Sequence, residues 1–307
     1  MKPLRTFEDM LELFRAKATC KRVVIISPND EHTEFVVKRC ADEELINLTL
    51  VFDGGESDEL KQFCCNSKNG KITTVSCADT AAAAAMGVKI VHDGKADVLM
   101  KGSLSTDVLL HAVIDKEGGN GLIEKGKTMS HIAVTESKVY DKLLMVSDVA
   151  VIPNPTLEQY DAMIRYDCDV CRSLGISSPK IALIHFSEKS NPRFPICQIY
   201  NELKQRAAAN AYGDMSLDGP MDVKSACDKE SAQIKHISSP VTGNADVVIM
   251  PDLEAGNTFY KTISFFGKAR MAGLVTGTSA PVVVASRADS AESKFFSLIL
   301  ACIAANK

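Results

Sequence analysis

The sequence lacks the features that mark several large classes of protein. It has no low-complexity tract, no apolar run long enough to span a membrane and no excess of basic residues, since 35 lysines and arginines stand against 39 aspartates and glutamates in 307 residues. These absences argue against a disordered chain, a membrane protein and a protein that binds the nucleic-acid backbone. A hydrophobic share of 46% and a net charge of −4 are instead typical of an ordinary globular protein.

Spacings typical of metal sites and of secreted proteins are also missing. The first 22 residues mix charges with single apolar residues, so we expect the protein to stay in the cytoplasm with its ten cysteines reduced. Cys168 and Cys171 form a single Cys-x-x-Cys pair with no second pair to complete a zinc site. The six histidines share no ligand spacing. The sequence therefore predicts no metal, no nucleic-acid partner and no membrane partner.

Short apolar runs alternate with amphipathic stretches along almost the whole chain, which predicts an α/β fold with mainly parallel sheets. The predicted strands are 23–26, 48–52, 72–75, 97–100, 132–134, 143–146, 180–185, 246–250, 273–275 and 281–285. The predicted helices include 80–91, 106–116, one that Thr156 caps, and 290–305.

Two prolines, Pro153 and Pro155, interrupt the chain near its middle and predict a domain boundary. The last helix is expected to return to the first domain. The predicted first domain therefore comprises residues 1–147 and 288–307, and the second comprises 148–287. A cleft between two such domains is the natural place for a ligand site.

The strand predicted at 281–285 is followed by Ser286, Arg287 and Asp289 and then by the start of a helix. Residues that follow a parallel strand lie where ligands bind, and the free amides of a helix start favour an anion. Arg287 would hold a phosphate through two hydrogen bonds. The alternative interpretation is that Ser286 or Asp289 only caps the helix and Arg287 pairs with a surface carboxylate.

Three further strand ends carry candidate ligand-binding residues. Lys101 and Gly102 follow the strand at 97–100 and combine a charge with room for close backbone approach, although the Walker spacing is absent. Asn257 follows the strand at 246–250 and can both donate and accept hydrogen bonds. Thr242 and Gly243 lie in the turn before that strand. Each segment also fits an ordinary turn or a helix cap.

Taken together, these segments resemble the phosphate acetyltransferase and phosphate butyryltransferase family from about residue 96 to the end of the chain. Several separate segments match in the same order, which is more specific than any single match. They are 101–102, 129–134, 140–144, 155–159, 218–220, 239–243, 251–261 and 286–293. The residues that follow Ser286 are more similar to the butyryl branch.

The resemblance implies a fold similar to that of isocitrate and isopropylmalate dehydrogenases, an active site in the interdomain cleft, and a homodimer or a multiple of dimers. It implies reversible transfer of a short acyl group, butyryl in this branch, between coenzyme A and phosphate. Coenzyme A and acyl-CoA would be substrates, no cofactor would be bound permanently, and an acyl kinase would be a functional partner. The alternatives left open are the acetyl branch, a non-catalytic acyl-CoA-binding protein and an NAD-linked, metal-dependent dehydrogenase.

The family's catalytic serine and phosphate-binding arginine match Ser286 and Arg287. The family's aspartate seven residues beyond the serine is replaced by Ser293, so Glu292 is the predicted base and Asp289 the other nearby carboxylate. Substrate-binding roles are predicted for Lys101, Gly102, Ser130, Thr242, Gly243, Asn257 and Asp289.

Overall fold

The computed structural model describes residues 4–17, 19–44, 46–67, 70–115, 118–124, 126–286 and 289–305. The chain divides into two compact units. The terminal unit comprises Met10–Lys127 and Ala272–Lys307, and the central unit comprises Met1–Asp9 and Thr128–Met271.

The described strands are β1 (Lys21–Ile26), β2 (Ile46–Phe52), β3 (Ile72–Ser76), β4 (Val98–Lys101), β5 (Ser130–Glu136), β6 (Leu144–Ser147), β7 (Lys180–Ile184), β8 (Ser216–Met221), β9 (Val247–Ile249), β10 (Arg270–Thr276) and β11 (Val282–Val283). The described helices are α1 (Phe7–Ala16), α2 (Glu31–Asp42), α3 (Asp58–Asn66), α4 (Thr80–His92), α5 (Thr106–Ile114), α6 (Leu157–Ser173), α7 (Pro195–Ala208), α8 (Val223–Cys227), α9 (Lys229–Ile234), α10 (Leu253–Phe265) and α11 (Ala291–Ala304).

In the sheet of the terminal unit five parallel strands lie in the order β3-β2-β1-β4-β11, and the part of β10 that belongs to this unit pairs antiparallel with β11. Val23–Ile26 and Val98–Met100 are fully buried at its centre. The chain moves outward from β1 to β3 and then returns to β4. Right-handed crossovers therefore place α2 and α4 on opposite faces and leave a topological switch point between β1 and β4, where α/β proteins bind ligands.

Helix α11 closes the core of the terminal unit. It contacts α2, β4 and β11, and every residue from Lys294 to Ile303 is buried. A helix that is apolar on all sides is stable only when neighbours cover it all round. The last helix therefore belongs to the same unit as the first strand.

The sheet of the central unit has the order β5-β6-β9-β7-β8 and is parallel except for the β5–β6 pair. Its core includes Val146, Ile184, Val248 and Met271. Strand β8 was not predicted, because Gly219 and Pro220 interrupt its apolar pattern and such residues weaken a strand signal.

The predicted α/β fold with mainly parallel strands is confirmed. The units change at 127/128 and 271/272, whereas the sequence analysis placed the boundaries at 147/148 and 287/288. The reason lies in strand pairing. Strand β6 pairs with β5 and β9, which keeps both members of the hairpin in the central unit, while β11 pairs with β4 and so belongs to the terminal unit.

Candidate functional site

The turn after β4 lies at the switch point of the terminal unit. The amide of Gly102 donates to the carbonyl of Ile26 over 2.8 Å, and the amide of Ser103 donates to the carbonyl of Ser27 over 2.8 Å. A Cβ atom on Gly102 would lie 2.2 Å from the Ser27 carbonyl oxygen, which is far inside van der Waals contact. Only glycine fits this approach of two loops.

Lys101, the last residue of β4, is buried, and its Nζ atom lies 3.2 Å from the carbonyl oxygen of Gly102. Strand β11 runs parallel to β4, with Val283 paired to Met100. The next residues of the two strands therefore end at the same edge of the sheet. The fold thus brings the predicted residues Lys101, Gly102 and Ser286 to the carboxyl ends of adjacent strands.

The described residues Ser286, Asp289 and Ser290, which lie between β11 and α11 in the chain, are called the Ser286 turn below. Ser286 is exposed. Its amide donates to the carboxylate of Asp289 over 2.7 Å, and the amide of Asp289 donates back to the Ser286 carbonyl over 3.1 Å. Asp289 therefore holds the backbone that carries the predicted catalytic hydroxyl. Arg287 lies outside the described residues.

The start of α11 is capped by Ser290, whose hydroxyl accepts from the amide of Ser293 over 3.1 Å. The hydroxyls of Ser290 and Ser293 also lie within 3.2 Å of each other. Ser293, which stands at the position of the family's aspartate, is thus part of the helix cap. Glu292 is exposed in the first turn of α11, next to the helix amides that favour negative charge.

A carboxylate that the sequence analysis missed lies beside the Gly102 turn. Asp53, directly after β2, accepts hydrogen bonds from Ser27, Asn29 and Thr80 at 2.6–2.9 Å. Burial acts most strongly and raises its pKa, but these hydrogen bonds outweigh it and hold the pKa of Asp53 below its usual value. Asp53 therefore links the segments that follow β1, β2 and β3. Its place directly after an apolar run was the only sequence signal.

In the central unit the predicted residue Ser130 contacts Asp148, which the sequence analysis also missed. Asp148 follows β6 and is only 2% exposed. One of its oxygens accepts from the Ser130 hydroxyl (3.0 Å) and the His131 amide (2.8 Å). The other accepts from the amides of Ala150 and Val151, both at 2.7 Å. Four hydrogen-bond donors therefore satisfy both oxygens of this buried carboxyl group.

Helix α10 packs its first turns on the same loop. The side-chain amide of Asn257 donates to the Val149 carbonyl over 3.0 Å, and a Cβ on Gly256 would lie 2.0 Å from the Asp148 carbonyl oxygen. Asp252, not Asn257, caps the helix by accepting from the Ala255 amide. The structure therefore brings Ser130 and Asn257 to one loop, the segment 148–151.

Thr242 and Gly243 lie away from that loop, because they precede β9 and Asn257 follows it. The hydroxyl of Thr242 donates to the Ser239 carbonyl over 2.9 Å. The amide of Gly243 donates to the Ser225 carbonyl over 2.9 Å, and a Cβ on Gly243 would lie 2.6 Å from the Cα atom of Lys229. These contacts describe a close-packed turn against α8 and α9.

All ten cysteines are free thiols, and Cys168 and Cys171 are buried in α6. Within the described ranges no group of three histidine, cysteine, aspartate or glutamate side chains is arranged to hold a metal ion. None of the described helices has the length and apolar character needed to cross a membrane.

The fold is that of a phosphotransacylase. The crystal structure of a branched-chain phosphotransacylase from Enterococcus faecalis V583 superposes with a TM-score of 0.80, at 29% identity, covering 93% of this chain and 99% of that one. The similarity extends over both units.

The model of the phosphate acetyl/butaryl transferase family matches residues 56–302, and the chain belongs to this family. The phosphate butyryltransferase of Clostridium acetobutylicum is 32% identical, covering 98% of this chain and 99% of the relative. The phosphate acetyltransferase of Thermotoga maritima is 33% identical, covering 96% and 98%. The predicted family resemblance is confirmed, and it makes the protein a transferase.

Proposed function

We propose that the protein is a phosphate butyryltransferase that converts butyryl-CoA and phosphate reversibly into butyryl phosphate and coenzyme A. Support comes from the relative of that name, which is similar over almost its full length, and from the residues after Ser286. A relative named phosphate acetyltransferase is equally similar. Acetyl-CoA is therefore the alternative substrate.

The observation that carries the proposal is the Ser286 turn within a chain of this family. Ser286 is exposed and follows the carboxyl end of β11, and Ser290 caps the amino terminus of the buried helix α11. This arrangement offers hydroxyl and amide donors to an anion, and phosphate is the anion that the reaction requires.

In the proposed reaction a phosphate oxygen attacks the carbonyl carbon of the thioester. The new C–O bond forms, the C–S bond breaks, and coenzyme A leaves as a thiolate that takes up a proton. Arg287 is assigned to hold the phosphate, and the Ser286 hydroxyl is assigned to donate to the developing negative charge. In the reverse direction Glu292 accepts the proton of the thiol, because the thiolate is the nucleophile. No bond to the enzyme forms, and positioning of two substrates supplies much of the rate.

The remaining predicted residues divide into two groups. Lys101 and Gly102 are proposed to bind substrate because they stand at the switch point beside the strand that leads to Ser286. Asp289 is assigned to hold the Ser286 amide in addition to its predicted contact with substrate. Ser130, Thr242, Gly243 and Asn257 of the central unit are also proposed to bind substrate, and each is a candidate for mutagenesis.

The test is the initial rate of coenzyme A release from acetyl-CoA, butyryl-CoA and isobutyryl-CoA, with and without phosphate. Phosphate-dependent release with the highest kcat/KM for butyryl-CoA is the expected result. A higher kcat/KM for acetyl-CoA would assign the protein to the alternative. Acyl-CoA binding without release would contradict both enzymes and favour a binding protein, and metal-dependent NAD reduction would favour a dehydrogenase.

Several broader features are part of the same proposal. We propose a cytoplasmic homodimer, or a multiple of dimers, that needs no permanently bound cofactor and is coupled to an acyl kinase. The likeness to isocitrate and isopropylmalate dehydrogenases and the active site in an interdomain cleft remain predictions. Gel filtration with light scattering tests the assembly.

A further inference from the structure

We infer that Lys294 is a positioning residue for acyl transfer: together with Asp30, His32 and Thr33 it fixes the Ser286 turn at the start of α2. This inference rests on the proposed function. It concerns side chains that the sequence analysis did not single out.

Lys294 lies in the first turn of α11 and is 2% exposed. Its Nζ atom lies 2.7 Å from a carboxylate oxygen of Asp30 and 3.0 Å from the hydroxyl of Thr33. Asp30 also caps α2, because its carboxylate accepts from the Thr33 amide over 3.0 Å and from the Thr33 hydroxyl over 2.6 Å. The start of α11 is therefore bound to the start of α2 by an ion pair in which the lysine is buried and the Asp30 side chain is 32% exposed.

A second contact reaches the Ser286 turn itself. The Nδ1 atom of His32, in the first turn of α2, lies 2.9 Å from the carbonyl oxygen of Asp289. The carboxylate of the same Asp289 accepts the Ser286 amide. His32 of α2 therefore contacts Asp289, and Asp289 in turn contacts Ser286. We call the set Asp30, His32, Thr33 and Lys294 the α2 clamp.

Burial of the Lys294 charge is a poor way to gain stability alone. Removing a charge from water costs free energy that its attraction to a partner often fails to recover, and an apolar side chain would fill the same space. Phe295 and Phe296, the next residues of α11, show that this surface already accepts large apolar groups. A directional contact fixes the helix start in one position, whereas apolar packing leaves it freer to shift.

The chain supplies a matched control at the other end of the same helix. Lys21 is 6% exposed, and its Nζ atom donates to the carbonyl of Ala305 over 2.8 Å. Both lysines are buried and both bind an end of α11, but only Lys294 lies near the Ser286 turn. Lys294→Met and Lys21→Met therefore remove comparable groups with different expected consequences.

The first measurement is hydrogen–deuterium exchange of the two full-length variants, resolved along α11. Lys294→Met should raise exchange at least tenfold at the amides of Ser286, Asp289 and Ser293 and leave the last turn of α11 unchanged. Lys21→Met should show the reverse pattern. Equal exchange at the Ser286 turn in wild type and Lys294→Met would overturn the inference.

The second measurement is steady-state kinetics with acyl-CoA and phosphate, after circular dichroism has shown that each variant is folded. Lys294→Met should lower kcat 10- to 100-fold and change KM for acyl-CoA less than threefold, while Lys21→Met stays within twofold of wild type. Equal losses in the two variants would mean that Lys294 acts only through stability and would overturn the inference.

Milder variants keep the test decisive if Lys294→Met does not fold. His32→Phe and Thr33→Val each remove one contact of the α2 clamp and should lower kcat 3- to 10-fold. Thr33→Ser keeps the hydroxyl and should therefore have the kcat of the wild type. Normal kcat in both milder variants would contradict the inference. If the wild type itself transfers no acyl group, the proposed function fails, and the exchange pattern still decides whether the clamp holds the turn.

Discussion

Asp148 in the central unit and Asp289 in the terminal unit both hold a turn that follows a strand, but they do so in different surroundings. Asp148 is buried, and its two oxygens accept four hydrogen bonds. Asp289 is half-buried, and its carboxylate accepts the amide of an exposed serine. A carboxylate whose acceptor sites are occupied inside the protein is suited to fixing structure. A carboxylate that accepts a hydrogen bond from the backbone amide of an exposed serine can instead position the hydroxyl of that serine for a substrate.

The largest expected effect is on the free energy of unfolding, and it distinguishes the structural role of Asp148 from the positioning role of Asp289. Asp148→Ala leaves one hydroxyl and three backbone amides without their acceptor, and each buried unsatisfied donor costs free energy, so the unfolding free energy should fall by about 3–5 kcal/mol. Asp289→Ala should cost only about 1 kcal/mol, because its partners are near solvent. Urea unfolding followed by circular dichroism measures both, since the chain has no tryptophan.

The activities of the same two variants give the opposite order. Asp289→Ala should lower the rate of acyl transfer while the protein remains folded. Asp148→Ala should lower kcat only in proportion to the folded fraction, and any further loss should appear in the KM for the substrate that Ser130 is proposed to bind. If Asp148→Ala proved as stable as wild type, Asp148 would not have the structural role that the comparison gives it.

The second effect concerns Arg287, which lies outside the described residues and whose role comes from the sequence. Arg287→Lys keeps the positive charge but loses the planar guanidinium group that can form two parallel hydrogen bonds to phosphate. The loss in kcat/KM for phosphate should correspond to about 2–4 kcal/mol, with part of it in kcat. Binding of coenzyme A should change much less.

Steady-state kinetics in the direction of acyl phosphate formation measures this effect, and a thermal melt serves as the control for folding. A folded variant with normal turnover and normal phosphate dependence would assign Arg287 to the surface and move the phosphate site elsewhere.

The third effect tests how strictly the terminal unit positions its loops. Gly102→Ala puts a Cβ atom 2.2 Å from the Ser27 carbonyl oxygen, so the backbone must shift, at a cost of about 1–3 kcal/mol in unfolding free energy. Gly94→Ala is the control, because its Cβ would meet nothing within 4 Å and only the positive φ of +69° opposes it.

Denaturant unfolding compares the two glycine variants, and acyl-transfer kinetics should show the larger loss for Gly102→Ala. Equal stability of the two variants would mean that the backbone at Gly102 shifts at little cost in free energy and is not a rigid part of the site.

The last prediction concerns the pH dependence of stability and rests on Asp167, which is fully buried in α6 and accepts from the Ser147 hydroxyl over 2.6 Å. Burial, with a smaller contribution from the charge of Asp148, raises the pKa of Asp167 from 3.8 to about 8. A raised folded-state pKa gives stability that is fully present below about pH 4 and is lost as the pH rises toward 8. In that window Asp167 should lower the unfolding free energy by about 1.4 kcal/mol per pH unit.

Asp167→Asn removes this titration and should flatten the pH dependence between pH 5 and 8. Asp169→Asn makes the same substitution at an exposed aspartate of the same helix and is the matched control. Urea midpoints across that pH range decide the point, and identical slopes for wild type and Asp167→Asn would show that Asp167 is ionised in the folded protein.

The sequence predicted the elements whose local signals are strong. Helix α6 begins after Thr156 with both hydrogen bonds of a capping box, and α4 spans the alanine-rich segment with one residue added to its predicted end. Strand β8 was missed because glycine and proline lie inside it. The Ser286 turn was predicted because a strand, a polar turn and a helix start follow each other along the chain.

The residues that hold these turns could not be predicted in the same way. Asp30 and Lys294 are 264 residues apart, and Asp53 meets side chains from loops 24 to 27 residues away. Each of these residues has an ordinary local explanation as a cap or a surface charge. Only the packing of α11 on α2, and of neighbouring strand ends on each other, gives them partners.

The sequence by itself determined the α/β class, most of the helices and strands, the family and the Ser286 turn, because periodicity, capping residues and motifs are properties of short segments. The tertiary structure alone decided that the hairpin β5–β6 belongs to the central unit, that Asp148 is buried with four donors, and that Lys294 binds the start of α2. Strand pairing and burial join residues far apart in the chain, and no local pattern records which distant segment provides the partner.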